Sequence, residues 1–347
     1  VDVPITRVEN VVLGQGGNSV HQFSQNGGQT FFLLTHSVVA ARVGDNMYTQ
    51  GDLVDRIRIL QADAAEGGDS FLAGREPFRV LEDVYQAGII IREAPGMGIV
   101  VTEQEIEAGL LIRFGPRMIG EQEVLPGQIE QEYKENYQRF LNRRHISDDG
   151  YRRLIEERIY RSRVREKLGE SIPSSKEHYE VYWIKLPTAD DASLTGSEPP
   201  DPIFVRDLLL EEDFSKVAAE YNVDTNFADH SGYVGWVPIG AFEFLDNVVK
   251  GDDNRAPIPI GEISPAMYTD DGVYILKMID GPELQVVDDV MMSVLKDREI
   301  DRWLLSRADV GGREGWFELR WNSDIYAWVV DQVQQTAKPA TLEPISE

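Results

Sequence analysis

The hydrophobic pattern of this chain changes its period twice. Between about residues 50 and 170, apolar residues recur at helical spacing, as Leu53, Ile57 and Leu60 do. After Pro173, the stretch HYEVYWIKLP alternates in the manner of a strand. Helical spacing returns in LQVVDDVMMSVLKDREIDRWLLSRAD. The sequence therefore predicts an α+β fold in which a module of strands and helices lies between two helical segments.

These changes divide the chain into five expected parts, and local signals mark where helices begin. Thr49 with Asp52, and Thr102 with Glu105, each place a carboxylate three residues after a hydroxyl, which is a helix-start signature. We expect the two helical segments to pack together, because the second has an apolar face that needs cover. The expected parts are a Gly/Gln/Asn-rich extension (1–36), a helical domain (37–173), the mixed module (174–280), C-terminal helices (281–335) and a tail (336–347).

Composition excludes several classes of partner and site. Lysine and arginine number 34 against 60 aspartates and glutamates, so the formal charge is −26, and nucleic acid or an anionic membrane surface is not an expected partner. The longest apolar stretch, TFFLLTHSVVAARV, is too short and too interrupted to span a membrane. The chain has no cysteine, and its five histidines lack metal-ligand spacing, so we expect neither a metal nor another cofactor.

Three segments after residue 210 occur in a recognisable order. They are DFSKVAAEYNVD, SGYVGWVP and PIGEISPAMYTDDGVYILKMID. Together they resemble the parvulin (PpiC-type) peptidyl-prolyl isomerase module of SurA/PrsA-type chaperones. VVAARVGDNMYTQGDLVDRIR is similar to the start of that family's N-terminal helical domain, and KDREIDRWLL to its returning helix. The resemblance covers about residues 37–335 and implies an inserted domain with an antiparallel sheet flanked by helices.

An isomerase of this kind must favour a twisted Xaa-Pro amide over both planar forms. The rotation barrier is about 18–20 kcal/mol, and lowering it calls for an apolar cup and a few well-placed hydrogen bonds. By resemblance, the site's Cys or Asp position falls on Asp224 or Thr225, and Thr269 and Asp271 match the hydroxyl-rich turn before the last strand. The residues that match the apolar cup are Val234, Phe242 and Leu245.

The two histidines of the family's site match tyrosines here. The first matches Tyr182 in the opening strand, and the second matches Tyr274 in the last strand. Two tyrosines on neighbouring strands form a good packed pair, and their hydroxyl groups could also form the polar base of the binding site. The sequence therefore predicts a parvulin fold whose isomerase activity is weakened or lost while a binding surface is retained.

The resemblance implies an extracytoplasmic folding factor whose partner is an unfolded or proline-containing polypeptide. We expect it at a cell surface, secreted or in a periplasm, with a signal or anchor segment removed before Val1. A second interpretation stays open, namely a structural, self-assembling surface subunit built on a parvulin-like fold. In that case the extension 1–36, with its β-prone run QTFFLL, adds a strand to a neighbouring copy and builds a homo-oligomer or filament.

Overall fold

The computed structural model describes residues 36–67, 77–116, 126–188, 198–251 and 256–337. Most of the extension 1–36 and of the tail 336–347 lies outside these ranges. The hypothesis that the extension adds a strand to a neighbouring copy therefore stays a prediction.

The chain forms two compact units, Val1–Val84 with Leu319–Glu347, and Tyr85–Glu318. Both contain helices and antiparallel strands among their described residues, so the predicted α+β class is confirmed. The boundaries that the sequence suggested at residues 173 and 281 fall inside the second unit, and they stay predictions.

The first unit begins with a β-hairpin. Strands β1 (Val39–Val43) and β2 (Asn46–Thr49) are antiparallel, and Gly44 turns the chain between them with a φ of 59°. Helix α1 (Gln50–Gly67) follows directly, and the Thr49 hydroxyl and backbone N–H both donate to Asp52, as the helix-start signature predicted. Helix α10 (Ser323–Ala337) packs on α1 and buries Ile325 and Val329.

Helix α2 (Pro77–Glu93) leads into the second unit and ends in a short 3-10 turn, Ala94–Met97. Helices α3 (Glu103–Phe114), α4 (Pro126–Arg144) and α5 (Asp148–Gly169) follow, with aromatic rings packed among them. On the C-terminal side, α9 (Asp289–Glu314) packs on α5. There Arg165 donates to the Asp297 carboxylate and to the Ser293 carbonyl. The helical segments before and after the mixed module are therefore in contact.

The mixed module is built on a four-stranded antiparallel sheet. Its strands are β3 (Ser175–Leu186), β4 (Tyr233–Pro238), β5 (Met267–Thr269) and β6 (Gly272–Val286), in the order β4-β3-β6-β5. The short strand β7 (Phe317–Leu319) follows helix α9 in the sequence.

Helices cover both faces of the four-stranded sheet. Helix α8 (Glu243–Lys250) packs on the face that carries Val181 and Trp183. Helices α6 (Pro202–Glu211) and α7 (Phe214–Tyr221) pack on the opposite face, against Ile184 and Leu186. Trp183 and Ile184 are both fully buried because side chains alternate between two covered faces. Among the described residues, no helix is long and apolar enough to cross a membrane.

Candidate functional site

Five aromatic side chains meet on the α8 face of the sheet, and we call them the aromatic cluster. Trp183 comes from β3, Tyr274 from β6, Phe242 and Phe244 from the start of α8, and Phe227 from the loop before β4. The pairing of Lys185 with Tyr274 places Tyr274 on the same face as Trp183, because side chains two residues apart on a strand share a face.

The rings of the aromatic cluster are closely packed. Phe244 stacks on Tyr274 with 4.2 Å between ring centroids, and Trp183 lies edge-on to Phe242 at 5.1 Å. Phe227 also meets Phe242 edge-on at 5.1 Å. These are the favoured geometries of aromatic pairs. Phe227 and Phe242 are half-buried, whereas Trp183, Phe244 and Tyr274 are buried, so the cluster presents a partly accessible aromatic edge.

Asp224 lies beside this cluster and is an acceptor for several donors. Its carboxylate accepts the indole N–H of Trp183 at 2.6 Å. It also accepts the backbone N–H groups of Asn226, Phe227 and Ala228, at 2.8, 3.3 and 3.3 Å. The carboxylate therefore fixes the loop that carries Phe227 to the indole of β3. Thr225, the other residue considered for this position, is exposed.

A second polar group, formed around Asp271, borders the cluster at the turn between β5 and β6. The Asp271 carboxylate accepts hydrogen bonds from Thr269 Oγ1 (2.6 Å), Lys185 Nζ (2.8 Å) and Tyr274 Oη (3.0 Å). The Lys185 ammonium also lies 5.7 Å from the centroid of the Tyr274 ring, which is a favourable place for a cation.

Burial is the largest influence on the protonation of both Tyr274 and Asp271. Burial raises the pKa of Tyr274 well above its ordinary value, and the charge of Asp271 and the hydrogen bond to it add to the rise. Burial alone would raise the pKa of Asp271, but the hydrogen bonds from Lys185, Thr269 and Tyr274 outweigh it and lower that pKa. At neutral pH the pair is therefore a carboxylate and a protonated phenol.

Sequence relatives of the chain carry the name foldase. Over 224 residues it is 22% identical to the foldase protein PrsA of Clostridium tetani, a match that covers 60% of both chains. Over 149 residues it is 26% identical to the foldase protein PrsA of Geobacillus kaustophilus, covering 42% of this chain and 50% of the relative.

These similarities support kinship with foldases of the PrsA/SurA-type parvulin family. The chain's matches span between half and three fifths of the length of these PrsA relatives. No family model matches the chain.

Solved structures of PrsA and SurA-like proteins are also similar. PrsA of Bacillus anthracis is 14% identical with a TM-score of 0.35, covering 74% of this chain and 96% of its own. PrsA of Streptococcus pneumoniae is 12% identical with a TM-score of 0.29, covering 86% and 93%. A chain from work on the SurA-like chaperones PEB4 and Cj1289 of Campylobacter jejuni is 12% identical, with a TM-score of 0.24 and coverage of 65% and 97%. The α+β fold is assigned from the strands and helices of this chain and not from these structures.

Two residues that the parvulin resemblance assigned to the site lie outside the accessible edge of the aromatic cluster. Tyr182 contacts Phe214 and Tyr233, with ring centroids 5.6 and 5.0 Å apart, on the face of β3 opposite to Tyr274. The packed pair of Tyr182 and Tyr274 is therefore a wrong prediction, because neighbouring residues of β3 project to opposite faces of the sheet and Tyr182 is not on the face of Tyr274. Leu245 is fully buried in the core under α8, so it has no surface to offer a ligand.

The remaining assigned residues lie on or next to the α8 face. Val234 and Phe242 are half-buried against its core, and Asp224, Thr269, Asp271 and Tyr274 take part in the hydrogen bonds described above. The sequence interpretation missed Trp183, Phe244 and Lys185. The alternation in HYEVYWIKLP contained a signal for Trp183, because a buried indole needs an acceptor for its N–H group and Asp224 was already a candidate. Among the described residues, no group of three or more acidic or histidine side chains is placed to hold a metal ion.

Proposed function

We propose that this protein is an extracytoplasmic folding factor that binds unfolded or proline-containing polypeptide and has little or no isomerase activity. Kinship with proteins named foldase supports the first part. The absence of strong isomerase activity is supported by the hydrogen bond from Trp183 to Asp224. This bond occupies the indole N–H of the aromatic cluster and the carboxylate beside it, so neither group is available to a substrate amide.

The aromatic cluster suits an apolar side chain or a proline ring. Phe227 and Phe242 are its half-buried members, and their rings lie 5.1 Å apart at the accessible edge. Aromatic rings offer a large contact area at a low cost in conformational entropy. Contact of this kind binds the planar and the twisted amide equally well. It therefore increases the affinity for a client segment without accelerating rotation about the Xaa-Pro amide.

Rotation of an Xaa-Pro amide also needs donors or acceptors that bind the twisted form more strongly. Here the nearby donors already have partners inside the protein. The only O–H of Tyr274 is given to Asp271, and the only N–H of Trp183 is given to Asp224. A substrate carbonyl would have to displace a charge-assisted bond, which costs more than a neutral hydrogen bond returns. The barrier of about 18–20 kcal/mol is therefore left almost unchanged.

Two assays test the two parts separately. Cis/trans exchange of an Xaa-Pro peptide, followed by NMR with a stoichiometric amount of protein, is expected to keep its uncatalysed rate. Aggregation of a chemically unfolded test protein is expected to slow in the presence of this chain. Phe242→Ala should weaken that protection, whereas Tyr268→Ala, which removes an exposed aromatic ring from strand β5, is the matched control.

Each assay has a result that contradicts the proposal. Fast exchange that disappears in Phe242→Ala would show that the cluster catalyses rotation without the family's histidines. Unchanged aggregation at every ratio of protein to client would remove the folding-factor assignment.

A further inference from the structure

Among the residues that the structure describes, those that pair with the outer edge of strand β6 do so along its first half. Strand β5 pairs with Gly272, Val273 and Tyr274, and the segment before β5 continues the cover as far as Met278, whose carbonyl accepts the N–H of Gly261. From residue 279 to 286, no backbone hydrogen bond reaches this edge from the described part of the chain. Within the described ranges, the second half of β6 therefore pairs with β3 and with no strand on its other side.

Two hydrogen bonds show which backbone groups point outward there. Val287 N–H donates to the Ser174 carbonyl, so Ser174 and Val287 form a hydrogen-bonded pair. Along this part of β3 and β6, hydrogen-bonded and non-hydrogen-bonded pairs alternate from there. Leu284 and Val286 consequently belong to non-bonded pairs and point their N–H and C=O groups away from β3. Independently, the carbonyl of Glu177, the partner of Leu284, accepts the N–H of Ile239, which directly follows β4 on the other side of β3.

The side chains at the same two positions are exposed and apolar. Leu284 is 72% exposed and Val286 is 76% exposed, and both project from one face because they are two residues apart. Pro282, two residues before Leu284, has no N–H to offer, so it limits the length of the open edge. An open edge with apolar side chains is a template for a further strand, which proteins ordinarily block unless they use it.

The charges around this edge select the kind of strand that fits. Asp280 and Glu283 on β6 are exposed, and so is Glu177 on the adjacent strand. A second copy would bring the same carboxylates to the edge, and two chains of formal charge −26 repel each other. Opposite charges on neighbouring strands attract, so a basic side chain fits beside Glu283 and apolar side chains fit beside Leu284 and Val286.

We propose that the edge Leu284–Val286 binds a client polypeptide as an added β-strand, and that it prefers segments in which basic and apolar residues alternate. This inference rests on the proposed function, since it names how the client is held. Backbone hydrogen bonds supply the affinity for any extended chain, and the alternating side chains supply the preference.

The test uses the full chain and a fluorescent capped hexapeptide that alternates lysine and valine. We expect saturable binding by anisotropy, with slower amide hydrogen exchange at Leu284 and Val286. Replacing the lysines by glutamate, or methylating the valine nitrogens, should weaken binding by about tenfold or more. Val286→Pro should do the same, because it removes an outward N–H that β3 does not use.

Leu284→Lys is the second variant, and Leu305→Lys is its control, because Leu305 is equally exposed at 72% but lies on helix α9. The proposal is wrong if the peptide binds equally to Val286→Pro, Leu284→Lys and the wild type. A concentration-dependent dimer that Leu284→Lys abolishes would also overturn it, by assigning the edge to a second copy. If wild-type chain fails to slow client aggregation yet binds the peptide at this edge, the proposed function fails and the edge assignment stands.

Discussion

Trp183 donates its indole N–H to the carboxylate of Asp224, with 2.6 Å between the two heavy atoms, although the residues are 41 positions apart in the sequence. The bond joins the central strand β3 to the loop that carries Phe227. Because Trp183 is fully buried, its N–H would be left without an acceptor if the carboxylate were removed. This bond therefore organises the aromatic cluster as well as occupying its nearest carboxylate.

We predict that Trp183→Phe lowers the free energy of unfolding by about 1–3 kcal/mol, because a buried hydrogen bond to a charged group is lost along with some packing. Asp224 keeps its three backbone donors, so the loop before β4 should remain folded. Urea denaturation followed by far-UV circular dichroism measures the change. Trp236→Phe, at a half-buried tryptophan of the adjacent strand β4, is the control and should have a smaller effect.

The sequence predicted the fold class and several helix starts because those depend on local pattern. Periodicity separated helices from strands, and the hydroxyl–carboxylate spacing located the starts of α1 and α3. The site was only partly predictable. The bulge between Val181 and Tyr182 interrupts the register of β3 with β4, and a one-residue slip exchanges the two faces of a strand. Nor does any local pattern reveal that Phe244 stacks on Tyr274.

The positions of Trp183 and Tyr182 lead to a prediction about catalysis. We expect Trp183→His combined with Tyr274→His to raise the rate of Xaa-Pro exchange at least about tenfold, because both imidazoles then lie on the α8 face. Tyr182→His combined with Tyr274→His is the control and should not raise the rate, since its two imidazoles lie on opposite faces. NMR exchange measures the rates, and circular dichroism checks that each variant is folded. If only the control pair accelerated exchange, the site would include Tyr182 and not Trp183.

The start of helix α3 gives a prediction about pH. The hydrogen bond from Arg163 is the largest influence on Glu105, and bonds from Thr102 add to it, so that the pKa of Glu105 falls from 4.5 to about 2. Because the folded pKa is below the unfolded one, the stabilisation is present above pH 4.5 and is lost as the pH falls towards about 2.

We therefore expect wild type to be more stable than Glu105→Gln at about pH 6, and the difference to shrink at about pH 3. Urea denaturation at a series of pH values measures it. Glu103→Gln is the control on the same helical turn, since Glu103 pairs with Arg152 and not with Arg163. A difference that is constant over this range would show that Glu105 does not titrate below its ordinary pKa in the folded chain.

Leu245 and Phe242 were both assigned to substrate binding by resemblance. Their different burial predicts that replacing Leu245 mainly affects stability and that replacing Phe242 mainly affects client binding. Leu245 is fully buried, so Leu245→Ala should lower the free energy of unfolding by about 2–5 kcal/mol. Phe242 is half-buried at the start of α8, so Phe242→Ala should cost less stability while weakening protection of an aggregating client. Calorimetric unfolding and light scattering at a temperature where both variants stay folded measure the two effects. If both variants lose the same protection per folded molecule, client binding depends on the whole core of the module. The accessible edge of the aromatic cluster would then have no special part in binding.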